Sequence, residues 1–184
     1  MPVQRAELLD YQTYADRRDA IRAEILAVKA ARRVHLGEHL TFLFENRDTV
    51  RYQVLEMMRT EQMVREDAIR HELDTYNELL GGPGELGCTL LVEVTDPAER
   101  AVKLAAWVDL PRHLYLRLPD GSKAPARWDE RQIDERKLSS VQFLKFDCGG
   151  QAPIAVGCDL PGLVAETALR ADQRAALAAD LAAG

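Results

Sequence analysis

No run of apolar residues in this 184-residue chain approaches the roughly 18–20 needed to span a bilayer. The opening residues, Met1-Pro2-Val3-Gln4-Arg5-Ala6-Glu7, carry no apolar core of a secretory leader, so the expected compartment is the cytoplasm. Cysteine is scarce: Cys88, Cys148 and Cys158 are odd in number and make no CxxC pair, which argues against a disulfide framework. Positive charge is not in excess. A net charge of −6 speaks against a dedicated nucleic-acid binder, whose affinity comes largely from phosphate neutralisation. The familiar chemical signatures are missing too: there is no GxGxxG, Walker A, GxSxG or HExxH, and no serine sits in a nucleophile context.

What is present reads as one domain, residues 1–184, mainly helical over 1–80 and sheet-rich over 85–184. A chain of this length buries about two-thirds of its unfolded surface. From 13 to 33 there is no Gly or Pro, and Tyr14, Ile21, Ile25 and Val28 form one apolar stripe, which predicts a helix. Its other face is charged, with a basic excess toward the C-terminal end that reads either as complementing the helix dipole or as a contact for an anion or a partner. Val34 to Glu45 reads as extended, either a hairpin turning at Gly37 or a single strand from Leu40. Asn46 or Asp48 can cap the next helix, whose buried face is marked by Val50, Val54, Met57 and Met58. A further helix starts near Arg65, carries Ile69, Leu73, Tyr76 and Leu80 on one face, and ends at Gly81-Gly82-Pro83-Gly84.

Strands follow. Cys88 to Thr95 is nearly continuous in apolar character and reads as central. Asp96-Pro97 with Glu99 starts a helix to about Val108. His113 to Leu118 is the next strand, with Leu114, Leu116 and Leu118 on one face and Tyr115 and Arg117 on the other. Strand, helix and strand of these lengths allow a right-handed βαβ unit. Arg127 to Lys137 is dense in charge of both signs and reads as a solvated loop. Val141 to Phe146 and Ile154 to Cys158 flank Gly149-Gly150 and read as a hairpin. In that hairpin Cys148 and Cys158 sit about 16 Å apart, at roughly 3.3 Å per residue, too far for a disulfide. Cys148 beside the turn is the one thiol left open to reactivity, while Cys88 and Cys158 read as small core residues. Asp172 to Leu181 is a short Ala-rich helix. The expected fold is α+β: N-terminal helices on a mainly antiparallel sheet, with room for one βαβ unit and a short C-terminal helix.

The richest chemistry lies where Phe42-Leu43-Phe44 runs into Glu45-Asn46-Arg47-Asp48 at a helix start. Free N–H groups and the positive end of the dipole favour an anion there, and Arg47 offers a bidentate fork. Glu45 and Asp48 can equally satisfy Arg47 internally, so a cap and a ligand site both stay open. Along the same helix Gln53, Glu56 and Arg59 present a polar side. A Glu-x-x-His pair of the di-iron kind is absent from the chain. His35 and His39 are four apart, but Gly37 between them in an extended stretch removes the helical meaning of that spacing. No metal ligand set emerges.

Several blocks together carry a family likeness: Arg33-Val34-His35-Leu36-Gly37, Leu43 to Val50, Gln53 to Arg59, Glu72 to Asn77 and Val141 to Phe146. Through them nearly the whole chain resembles an uncharacterised bacterial family, a domain of unknown function, with Phe-Glu-Asn-Arg-Asp-Thr its most specific block. Members of that family are often encoded beside rubrerythrin-like proteins and iron–sulfur oxidoreductases similar to heterodisulfide reductase subunits. The resemblance therefore implies a redox or oxidative-stress setting and a redox-protein partner, without assigning a reaction. Where the family often shows Asp-His-Pro and an aromatic, this chain has Asp159-Leu160-Pro161-Gly162-Leu163, so that histidine makes a poor obligatory catalytic group. Two readings result. One is an accessory or interaction protein, with a homo-oligomer allowed. The other is a small-molecule or anion binder, or an enzyme, whose site joins Glu45, Asn46, Arg47 and Asp48 to Gln53, Glu56 and Arg59.

Overall fold

The computed structural model describes residues 1–128 and 137–184. Residues 129–136, most of the charged segment expected to be a solvated loop, lie outside the described residues. The helices are α1 (Tyr11–Ala30), α2 (Arg47–Thr60), α3 (Glu66–Asn77), α4 (Pro97–Ala106) and α5 (Ala171–Ala183). The strands are β1 (Arg33–Leu36), β2 (Leu40–Glu45), β3 (Glu85–Val92), β4 (Leu114–Arg117), β5 (Lys123–Trp128), β6 (Val141–Asp147), β7 (Ala155–Cys158) and β8 (Ala165–Ala168). The fold is α+β, as the pattern of the chain predicts. No helix among the described residues is long and apolar enough to cross a membrane.

The eight strands form one sheet in the order β1-β2-β3-β6-β5-β4-β7-β8, and every pairing is antiparallel. The end strands β1 and β8 lie against each other, so the sheet curls nearly closed. Register sets the interior. Val34, Phe42 and Leu90 align in one row, and Phe44, Cys88, Leu144 and Trp128 in the next. Side chains alternate across a pleated strand, so these rows point inward to a single apolar core to which α5 adds Leu177 and Leu181. The N-terminal helices hold a second core, in which Tyr14 and Ile25 of α1 meet Val50, Val54 and Met58 of α2 and Ile69 and Leu73 of α3.

Two expected local motifs are not formed. The βαβ unit requires β3 and β4 to be parallel neighbours, but β6 and β5 stand between them. Three antiparallel steps leave β3 and β4 running in opposite directions. The hairpin across Gly149-Gly150 is also absent, because β6 joins β3 and β5 while β7 joins β4 and β8. Both glycines adopt positive φ, 54° and 75°, and the turn bonds back to β3's entry. The Cys148 and Gly150 amides donate to the Gly84 carbonyl at 3.0 and 3.3 Å. Chain following that turn crosses to the far side of the sheet. Cys148 is consequently fully buried, and burial pushes its thiol up to about 12. The reactive-thiol reading is thereby corrected: all three cysteines are free and buried.

Candidate functional site

Strand β2 ends at Glu45 and α2 begins two residues later at Arg47, with Asn46 extended between them as the N-cap. Asn46 Oδ1 accepts from the Thr49 amide at 3.0 Å, and Thr49 Oγ1 accepts from the Asn46 amide at 2.9 Å. This reciprocal box satisfies two donors that a helix start otherwise leaves open. The Thr49 hydroxyl also donates to Glu45 Oε2 at 2.5 Å, and the Thr89 hydroxyl donates to Glu45 Oε1 at 2.7 Å. Glu45 is thus held by two hydroxyls, and no ion pair is found for it among the described residues.

Arg47 takes a different partner from those the sequence suggested. Its guanidinium bonds both oxygens of Glu7 at 2.6 Å, neither Glu45 nor Asp48. The Gln4 amide first, and then Arg47, hold the Glu7 carboxyl below the usual range. Asn46 Nδ2 reaches Asp180 Oδ1 of α5 at 3.3 Å. Asp180 is also gripped by Arg32 at 2.7 and 2.8 Å. Asp48 is exposed.

These groups surround a cavity of about 430 Å³. Its wall carries five carboxylate side chains, Glu7, Glu45, Asp48, Glu85 and Asp180, against two arginines, Arg47 and Arg51. One side is the glycine-rich strap after α3, which includes Leu80 and Gly81. The strap crosses β3 at Gly87, where an added Cβ would lie 1.8 Å from the Leu79 carbonyl oxygen. Only glycine lets the strap seat that closely.

Glu56 and its neighbours are elsewhere. Nine residues from Arg47, at about 100° and 1.5 Å per residue, place Glu56 roughly half a turn around and about 13 Å along α2. Gln53, Glu56 and Arg59 do not line the cavity. Glu56 faces α1: Tyr14 OH donates to Oε1 at 2.5 Å, Arg18 Nε donates to the same oxygen at 2.7 Å, and an Arg18 terminal nitrogen donates to Oε2 at 2.9 Å. Arg59 adds a looser contact at 3.6 Å. The Arg18 hydrogen bond, with help from Tyr14, pulls the Glu56 carboxyl down to about 2. Burial beside that carboxylate pushes the Tyr14 phenol up. Gln53 is half-buried one turn earlier. The expected union of the two halves of α2 in one site is therefore not made. The first half lines a cavity; Glu56 and Arg59 join α1 to α2.

Residues 2–181 match the family described as a protein of unknown function, DUF3501. The chain belongs to the DUF3501 family. Among solved structures it is similar to a protein from Burkholderia pseudomallei K96243, described as a novel protein of unknown function and solved by crystallography at 1.90 Å resolution. The two are 33% identical with a TM-score of 0.90, over 98% of this chain and 100% of the other. No curated protein matches. Phe44 to Thr49, within the matched residues, builds the capped junction and one wall of the cavity.

The junction itself was legible from the chain, but several of its partners were not. Glu7 comes from the N-terminal segment, Glu85 and Thr89 from β3, and Asp180 from α5, and nothing in their local sequence marks them. Arg18 lies on α1, and nothing in its local sequence marks its pairing with Glu56. The four histidines disperse, with His71 exposed on α3. His35 Nδ1 lies 2.8 Å from Thr41 Oγ1, His39 pairs with Lys103, and His113 Nδ1 lies 2.9 Å from Asp159. Among the described residues no trio of His, Cys, Asp or Glu side chains is arranged to hold a metal ion.

Proposed function

We propose that this DUF3501 protein works by binding, and that the cavity at the start of α2 receives a small organic cation, an amine or a guanidinium. The observation that carries this reading is Glu45. It is half-buried at the cavity wall and, among the described residues, held by the hydroxyls of Thr49 and Thr89 without an ion pair. A carboxylate withdrawn from water without a counter-charge attracts a cation strongly. The helix start alone would favour an anion, but its partial charge of roughly half a unit is set against Glu45 and Asp48, the two lining carboxylates with no ion pair among the described residues, and Asn46 already caps the Thr49 amide. Arg47, the anion fork expected from the sequence, is occupied by Glu7.

Calorimetric titration with putrescine, agmatine, inorganic phosphate and citrate tests the reading. The amines are expected to bind and the anions not to. Glu45→Gln removes the charge while keeping an acceptor, and should weaken amine binding at least tenfold. Binding of phosphate in place of amines, or undiminished amine binding by the variant, would refute it.

A second reading, an accessory protein for a redox partner, is supported by α1. Of its 20 residues only Tyr14 and Ile25 are buried. Leu26 is 52% exposed, on a face shared with exposed Asp19, Arg22, Ala23 and Ala30. The setting implied by the family resemblance makes an iron–sulfur oxidoreductase or a rubrerythrin-like protein the partner to try, with the cytoplasm as the compartment. Retention of neither protein by the immobilised chain in a pull-down would remove this reading.

A further inference from the structure

A second cavity, about 720 Å³ in volume, lies between α3 and strands β3, β5 and β6. That volume falls within the range of small-molecule sites, roughly 300–1,000 Å³. We infer that it binds a flat aromatic molecule bearing a carboxylate or a similar anion. Tyr76 of α3 and Leu79 just after it form one wall, and the outer face of the sheet at Phe143 and Lys145 forms the other, with Trp128 and Leu144 beneath it. Phe143 lines the cavity beside Lys145 on the outer face of β6. Stacked or edge-on aromatic contacts contribute about 0.5–1.5 kcal/mol beyond the area they bury, which favours a planar guest.

Charge across the cavity has a direction. The helix side carries Glu72 and Glu78, and the sheet side carries Arg127 and Lys145. Arg127 and Lys145 are register partners on β5 and β6. Arg127 is tied to Glu85, whereas Lys145 is half-buried and makes no ion pair among the described residues. A guest whose anionic end lies toward β6 supplies the missing partner and keeps that end away from the two glutamates. The reverse orientation, or a cationic guest, leaves Lys145 uncompensated. This cavity is distinct from the junction cavity and would take a ligand of opposite charge.

Isothermal titration of the full chain with 2-naphthoate and 2-naphthylmethylamine, equal in ring size and opposite in charge, tests the inference. Naphthoate is expected to bind at least tenfold more tightly. Lys145→Gln should abolish that preference at an unchanged Tm, and Tyr76→Ser should weaken both ligands. Arg51→Gln, which alters the junction cavity, should leave naphthoate affinity within twofold. The inference is overturned if the folded wild type binds neither compound, if it shows no charge preference, if the preference survives in Lys145→Gln, or if Arg51→Gln removes it.

Discussion

Replacing Glu56 by Gln removes one negative charge from the contact between α1 and α2 and leaves its shape intact. The carboxyl titrates at about 2 rather than 4.5, and each pKa unit corresponds to about 1.4 kcal/mol. The full shift would be worth roughly 3 kcal/mol. The side chains of Arg18 and Arg59 are 28% and 35% exposed, so solvent screening reduces this to about 1–2 kcal/mol. For a chain of this size that is a drop in Tm of about 2–8 °C. The sign of the pH dependence follows from the direction of the shift. A carboxyl whose folded pKa is depressed stabilises fully above the unfolded value of 4.5 and loses that contribution as pH falls toward about 2. Thermal melts of wild type and Glu56→Gln should therefore differ most at pH 7. More than half of the difference, on the order of 60%, should be gone at pH 3. A variant as stable as wild type at pH 7, or a gap of equal size at both pH values, would show that the cluster does not hold the two helices as described.

Gly87→Ala should be more damaging, because the new Cβ would meet the Leu79 carbonyl oxygen at 1.8 Å and that atom belongs to backbone. A loss of about 2–3 kcal/mol, or more if the strap detaches, is expected in urea unfolding; a loss below about 0.5 kcal/mol would contradict the seating of the strap. The three buried thiols should react with Ellman's reagent at pH 8 only after unfolding, since burial raises the pKa of each and the thiolate is the attacking species. Stoichiometric labelling of the native protein within minutes would be the contrary result.

The helix that begins at Asp96 shows why part of this fold can be read from the chain. Asp96 caps the Glu99 amide at 2.7 Å and Pro97 occupies the first turn; every group involved lies within four residues. The same is true of Asn46 and Thr49. Several strand ranges were legible for a similar reason, since alternation such as Leu114, Leu116 and Leu118 is a property of neighbouring residues, whereas β5 and β8 were not read from the chain. Strand pairing was not. Val141 to Phe146 and Ile154 to Cys158 have the pattern of a hairpin, yet the Gly149-Gly150 turn bonds to Gly84, 64 or more residues earlier.

The candidate site divides along the same line. Phe42 to Thr49 was identifiable as a strand delivering polar groups to a capped helix start, because apolar alternation and capping are local and the residues competent for them are few. Which charges pair there was decided only by tertiary structure. Glu56 meets Arg18 across 38 positions, Arg47 meets Glu7 across 40, and Arg32 meets Asp180 across 148. Any of the chain's 24 basic residues could satisfy any of its 30 acidic ones as far as composition is concerned. The choice falls to packing: once the sheet register and the two apolar cores are set, only a few long side chains remain within about 4 Å of one another. The chain by itself determined the α+β elements and the capped junction. Long-range register determined that the junction lines a carboxylate-rich cavity, and that Glu56, on the same helix, is an anchor between helices.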